Sequence, residues 1–358
     1  MKIVNFAVLV KIDYMKFKIE TLDSVNNPNS IHGIYPYRGK IAALDATQIL
    51  SQMPSGSTVL DPFCGSGTIV YEGLKYGLHT LGIDANPIAI ILSQGKIHIP
   101  LDYKTVKEEV DSVIARAQEV MLKNPMPEYC ASLFHPDSLA EVLKMAELFS
   151  EMSDYLKACF VGAIALTARG CNQYKWTSST VGKNIEPKRY IPFYDKFRLK
   201  AKKHYYPIPN DSVVYFNDTR LVDTILAPNS IDYIFSSPPY FDCLDYTAYY
   251  ARFVYEILGY DRMGIKDTLI QDFGDYRTDM KKVLDGLYNV LKPGGQVIFV
   301  VGDKKVHGKI VNGADFFNEI SPFKHIETIE RSYSGTSSQV FDQLNNTSRK
   351  EQIVIWQK

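Results

Sequence analysis

The sequence predicts an α/β protein built on a doubly wound, mostly parallel sheet of seven strands, interrupted by a largely helical insertion. Three observations carry that expectation. Residues 57–96 read as strand, glycine-bearing turn, helix, strand and helix in succession. The same rhythm returns after residue 210, whereas 101–210 offers amphipathic helices and no obvious parallel strand. The 358 residues suffice for one large core or two modest ones, and 46% hydrophobic with 22% charged residues is ordinary for a globular chain.

The elements follow in order. The opening "MKIVNFAVLVKIDYMKFKIE" reads as a strand, because a lysine interrupts its apolar run before it reaches the length of a membrane span. "HGIYPYRGK" at 32–40 reads as a proline turn before a helix containing Leu44 and Leu50. A strand ends at Asp61, a helix runs to about Gly77, and the strand "TLGID" ends at Asp84. Asn86 before Pro87 is a helix cap with proline at the first helical position. Helices are expected around 104–122, 138–150 and 153–168, then strands at "VVYF" and "IDYIFS" (231–236). Further helices near 245–258 and 279–291 lead through "KPGG" to the strand "QVIFVVG". Strands at 324–330 and "EQIVIW" complete the set. The expected division is one body formed by 1–100 and 211–358, with 101–210 inserted between its second and third strands.

Charge and cysteine content narrow the chemistry. Five scattered cysteines without a CxxC pair argue against a zinc site and against a disulfide framework, and so for a reducing, cytoplasmic setting. The 40 basic and 40 acidic residues cancel, yet 169–206 concentrates lysine and arginine among aromatic residues. Such a stretch reads either as a phosphate-binding surface with stacking platforms, Lys200, Lys202 and Lys203 among its cations, or as a solvated loop whose aromatics are pinned to the core.

"DPFCGSGT" at 61–68 sits where a strand gives way to a helix. A P-loop would need Gly-Lys-Ser/Thr, but Gly67 is followed by Thr68 and Ile69. The dinucleotide fingerprint would need a third glycine where Val70 stands. A ligand with a ribose and an amino-acid end fits better: Asp84, at the next strand tip, can accept from both ribose hydroxyls, and Asp61 can meet a charged amine. That combination describes S-adenosylmethionine.

Taken with "GIDANP" and "SSPPY", this turn resembles the amino-group DNA methyltransferases, which methylate N4 of cytosine or N6 of adenine. "HGIYPYRGK" and "NDTRLV" (217–222) stand where that family has its first and adenine-side cofactor motifs. The resemblance covers roughly 30–98 and 212–358 and implies a Rossmann-like methyltransferase fold for the body, with the insertion reading the target. It places Asp61, Phe63, Gly65 and Gly67 on the methionine and ribose side, Asp84 on the ribose and Asp218 near the adenine amine. Tyr35, Pro62, Cys64, Thr68 and Asn86 complete the implied cofactor set, and no metal is implied. The alternative for Asn217 and Asp218 is a cap or turn at the strand end, and His32 reads as a packing residue.

The catalytic turn is Ser237, Pro238, Pro239 and Tyr240. An exocyclic amine is a poor nucleophile because its lone pair is delocalised into the ring. Acceptors in a rigid turn, the Ser237 side chain and Pro238 carbonyl, favour a pyramidal nitrogen, and the Tyr240 ring holds a flipped-out base. Serine at the first position favours cytosine N4 over adenine N6 within that family. Double-stranded DNA is the implied partner, with a companion restriction endonuclease beside it. A methyltransferase acting on RNA and a DNA-binding module without activity are the more distant readings.

Overall fold

The structure is a computed structural model that describes residues 15–20, 30–37, 39–123, 125–168, 189–239, 245–248, 250–272, 274–306, 309–331 and 351–358. The first part of the chain forms α1 (Ala43–Leu50), β1 (Thr58–Asp61), α2 (Thr68–Leu74), β2 (His79–Asp84) and α3 (Pro87–Ile97). The insertion follows with α4 (Tyr103–Glu119), α5 (Glu128–Ala131), α6 (Pro136–Ala146), α7 (Asp154–Thr167) and α8 (Phe193–Lys203). The chain then gives β3 (Val213–Phe216), α9 (Val222–Ile225), β4 (Ile231–Ser236), α10 (Tyr250–Leu258), α11 (Arg262–Thr268), α12 (Tyr276–Val290) and β5 (Leu291–Gly302). It ends with the antiparallel pair β6 (Lys304–Val306) and β7 (Lys309–Val311), then α13 (Gly313–Ile320), β8 (Lys324–Arg331) and β9 (Glu351–Gln357).

The seven expected strands form one sheet in the order β3-β2-β1-β4-β5-β9-β8. Every pairing is parallel except those of β9, which runs antiparallel to both β5 and β8. From β1 the chain winds outward through β2 to β3, then returns to place β4 on the other side of β1. The order therefore reverses between β1 and β4, where Val59 pairs with Tyr233 and Leu60 with Ile234. Ligands of doubly wound sheets bind outside the carboxyl ends of the strands at such a reversal.

Alternation along the strands sorts the core into two faces. Leu60, Ile234, Val297 and Phe299 meet α12 and α13 through Leu284, Leu287 and Phe317. On the opposite face Val59, Phe235 and Ile298 meet Ile49 and Leu50 of α1, together with Phe17. The amino-terminal strand expected from the sequence lies mostly outside the described residues. Among residues 15–20, Phe17 sets its ring edge-on to Tyr233 at 6.5 Å, and the Lys18 amide donates to Gln52 Oε1 at 2.8 Å.

Helices α4 to α8 lie between β2 and β3. These helices share a continuous apolar cluster with α3 and α10, in which Ile88, Ile91 and Leu92 meet Leu156, Phe160, Phe253 and Val254. α6 begins earlier than its pattern suggests because Pro136 takes the first helical position and His135 Nδ1 accepts from the Asp137 amide. α8 was not foreseen as a helix. Phe193, Phe197, Lys200 and Ala201 are buried along one side of it, while Arg198, Lys202 and Lys203 are exposed.

Candidate active site

Four strand tips meet at the reversal. At the end of β1, Asp61 is buried, and its Oδ1 accepts from Ser236 Oγ at 2.7 Å and from the Phe63 amide at 3.2 Å. Burial pushes this carboxyl up to about 7, against the pull of those two hydrogen bonds. Pro62 follows, and its carbonyl accepts from Thr219 Oγ1, which ties the β1 tip to the segment after β3. The half-buried Phe63 packs against the apolar cluster under α12.

The turn then reverses through two left-handed glycines. Gly65 has φ +49° and Gly67 φ +71°, a region that L side chains enter only at a cost. Cys64 takes a hydrogen bond from the Gly67 amide at 2.7 Å and donates its own amide to the Ile83 carbonyl at 3.0 Å, which locks the turn to β2. Its thiol is buried and pushed up in pKa by that burial. A Cβ on Gly67 would lie 2.6 Å from Ser93 Cβ of α3, so this glycine lets helix and turn touch. A Cβ on Gly65 would lie 3.2 Å from the ring of Tyr37.

Asp84 ends β2. Its Oδ2 accepts from the Gly65 amide and its Oδ1 from the Asn86 amide, both at 2.8 Å. Each oxygen keeps a further lone pair for a ligand donor. Burial raises this carboxyl to about 6, opposed by the backbone amides that point at it. Asn86 caps α3 by accepting from the Ile88 amide at 2.9 Å, and the same Oδ1 accepts from the Tyr255 hydroxyl at 2.7 Å. Among the described residues, Ser66 Oγ, Thr68 Oγ1 and Asn86 Nδ2 are buried polar atoms with no hydrogen-bond partner.

The remaining expected positions divide. β4 ends at Ser236, followed by half-buried Ser237, buried Pro238 and half-buried Pro239. The Pro239 carbonyl accepts from the Tyr276 hydroxyl at 2.6 Å, so the first turn of α12 braces the turn after β4. Tyr240 lies outside the described residues. Asp218 stands at the β3 tip but caps the following turn, accepting from the Arg220 amide at 2.9 Å and pairing with the Arg220 guanidinium at 2.7 Å. This is the capping arrangement that the sequence also allowed. Tyr35 is buried in the apolar cluster of α3 and α7, and the tyrosine against the glycine turn is Tyr37, two residues on.

His32 is likewise internal, with Nε2 2.7 Å from Glu72 Oε1. Of the aromatics of 190–205, Phe193 and Phe197 are buried and the half-buried Tyr205 donates to the Pro100 carbonyl at 2.8 Å, whereas Tyr190 is exposed and donates to Glu141 at the surface. For Phe193, Phe197 and Tyr205 the structure thus takes the second of the two readings, rings pinned to the core, while Tyr190 and Tyr206 stay exposed. Lys200 is corrected too, because its Nζ is buried and donates to the Gly33 carbonyl at 3.0 Å. Tyr174 and Trp176 lie outside the described residues. A separate groove of about 450 Å³ beside α12 is lined by Arg220, Arg277 and Lys281, whose charges are paired with Asp279, Glu319 and Asp285.

Sequence reasoning missed Ser236, Tyr37 and Tyr255. Ser236 had a local signal as the last residue of an apolar strand. Tyr255 had none, since its partner lies 169 positions away. Tested against S-adenosylmethionine, the residues present fit. Two carboxylates suit a cationic ligand, Asp84 keeps lone pairs for a diol, and the unpartnered Ser66, Thr68 and Asn86 groups can serve an amino-acid end. Among the described residues no group of His, Cys, Asp and Glu side chains is placed to hold a metal ion, and no helix is long and apolar enough to cross a membrane.

No family model matches the chain. Over 110 residues it is 26% identical to the Type II methyltransferase M.MjaII of Methanocaldococcus jannaschii, a stretch covering 30% of this chain and 20% of that protein. The chain thus spans about a fifth of the length of the curated relative it matches. Among solved structures it aligns with the rRNA methyltransferase aviRa of Streptomyces viridochromogenes at 14% identity and TM-score 0.32, covering 90% of this chain and 88% of that one. It aligns with a geranyl diphosphate methyltransferase at 8% identity and TM-score 0.37, covering 94% and 96%. At these scores the fold assignment rests on the strand order itself. The chain is therefore a Rossmann-like doubly wound α/β protein, similar over less than a third of its length to a Type II methyltransferase.

Proposed function

We propose that the chain is an S-adenosylmethionine-dependent DNA methyltransferase acting on an exocyclic base amine, with N4 of cytosine ahead of N6 of adenine. The observation that carries the reading is the 2.7 Å hydrogen bond from Ser236 Oγ to Asp61 Oδ1. It joins the end of the strand that leads into Ser237 and Pro238 to the end of the strand that leads into the glycine turn, across the reversal of the sheet. On this reading the cofactor side and the acceptor side are neighbours, as direct transfer between two bound molecules requires. The local similarity to a Type II methyltransferase supports methyl transfer.

The bound cofactor supplies an electrophilic methyl on a sulfonium. Asp61 and Asp84, once ionised, favour that positive charge and the ribose hydroxyls. On the acceptor side, Ser237 and the Pro238 carbonyl take hydrogen bonds from the amine protons and turn the nitrogen lone pair toward the methyl. The methyl would pass to the amine nitrogen as its bond to sulfur breaks, and the surplus amine proton would leave to water. The base reaches this turn by flipping out of the duplex, at a cost of roughly a few kcal/mol. Stacking on Tyr240 offsets about 1–3 kcal/mol of that cost.

Expression in a methylation-free bacterial host, followed by long-read sequencing of its DNA, tests the proposal. N4-methylcytosine in one recurring sequence context is the expected result. N6-methyladenine in such a context would redirect the base assignment. Unmodified DNA together with newly methylated tRNA would overturn the DNA reading.

A further inference from the structure

Ser30 to Tyr37 contains only one short helical turn; Ile31, Ile34 and Tyr35 bury in the apolar cluster of α3 and α7, and several of its carbonyls are held by buried polar groups on other elements. Lys200 Nζ of α8 donates to the Gly33 carbonyl at 3.0 Å, and His204 Nδ1, just past α8, lies 2.7 Å from the Ser30 carbonyl oxygen. Lys40 Nζ donates to the His32 carbonyl at 2.7 Å. The His32 ring bridges Glu72 Oε1 at 2.7 Å and Lys96 Nζ at 3.2 Å. His32, Glu72, Lys96, Lys200 and His204 are all at most 6% exposed. Gly162 of α7 closes the segment from another side, since a Cβ there would lie 2.1 Å from the Ile34 carbonyl oxygen.

The proton positions follow from the partners. His204 faces a carbonyl through Nδ1, so Nδ1 carries the hydrogen and Nε2 presents a lone pair to Lys200 Nζ at 3.5 Å. His32 faces a carboxylate through Nε2, which leaves Nδ1 to accept from Lys96. Burial, with the adjacent lysines, lowers both rings to about 4, consistent with neutral imidazoles in these roles. A buried lysine is costly unless its ammonium is well hydrogen-bonded. Here one acceptor of Lys200, the Gly33 carbonyl, belongs to the segment that ends at Tyr37, whose ring rests on Gly65.

We infer that Lys200 and His204 are positioning residues for the cofactor. Through the Gly33 and Ser30 carbonyls, the last helix of the insertion holds Tyr37 against the glycine turn. The insertion thus sets cofactor affinity from a helix whose opposite side faces solvent. This rests on the S-adenosylmethionine reading above.

Calorimetric titration of S-adenosylmethionine into the full chain tests it, with hydrogen exchange as the second measurement. Lys200→Met should weaken binding about tenfold or more, the scale of losing one charged, buried hydrogen bond. Lys200→Arg should recover part of the loss, and Lys202→Ala with Lys203→Ala should leave affinity unchanged. In Lys200→Met, amides of 30–37 should exchange faster while α3 and β1 stay protected. Wild-type affinity in Lys200→Met overturns the inference, as does equal loss of protection in α3 and β1, which would make Lys200 a general stabiliser. A wild-type chain that binds no S-adenosylmethionine overturns the cofactor reading itself, a result distinct from either.

Discussion

On the proposed reading, Asp61 and Asp84 make cofactor binding depend on pH. Both carboxyls are raised above their ordinary value, to about 7 and about 6, chiefly by burial. Between an unfolded value near 3.8 and these folded values the native state holds the protons more tightly, so their contribution to stability falls as pH rises through that window. A cationic ligand needs the ionised forms, so its affinity should rise from pH 5 to about 7.5 and then level. Calorimetry in S-adenosylmethionine should trace that curve, and Asp61→Asn should remove its upper inflection. Ser236→Ala should move the same inflection upward, because the lost hydrogen bond favours the carboxylate. An affinity flat across this range would count against both carboxylates. With Ser237 and Tyr240 on the acceptor side as proposed, Ser237→Ala should lower kcat on the order of a hundredfold with little change in KM for DNA, and Tyr240→Ala should mainly raise that KM.

At the scale of elements, the glycine turn is built from two contacts of different character. Gly67 combines a left-handed backbone with a backbone-close approach to Ser93, so Gly67→Ala should cost roughly 2–4 kcal/mol in urea unfolding. Gly65 meets a ring edge at 3.2 Å, which can give way, so Gly65→Ala should cost less stability while displacing Tyr37. Elements whose signal is local were legible in the sequence: the Asn86-Pro87 start of α3, the two glycines and the strand tips at Asp61 and Asp84. α8 is the exception: Phe193, Phe197 and Ala201 recur at four residues, close to the helical period, but within a stretch dominated by charged residues.

At the scale of the whole molecule, the balanced charge gives no general pull toward nucleic acid, so any grip on DNA must come from local surfaces. Lys202 and Lys203 remain exposed on α8. Replacing both by alanine should lower DNA affinity and reduce the salt slope by about two, since each neutralised phosphate contributes about 0.9. An unchanged slope in a fluorescence titration would remove α8 from the DNA surface. Lys200 does not belong in that experiment, because its ammonium is already engaged inside the protein.

Local chemistry in the sequence was enough to determine the seven strands, the glycine turn, the acids at the strand tips and the place of helices between β2 and β3. These depend on residue period, turn residues and caps within about ten positions of one another. Only the tertiary structure decided the strand order, the meeting of Ser236 with Asp61, the choice of Tyr37 over Tyr35 at the glycine turn, and the burial of Lys200. Each of those depends on partners from about 30 to 175 positions apart, and such pairings are set by how whole faces bury together, which no short window of sequence records.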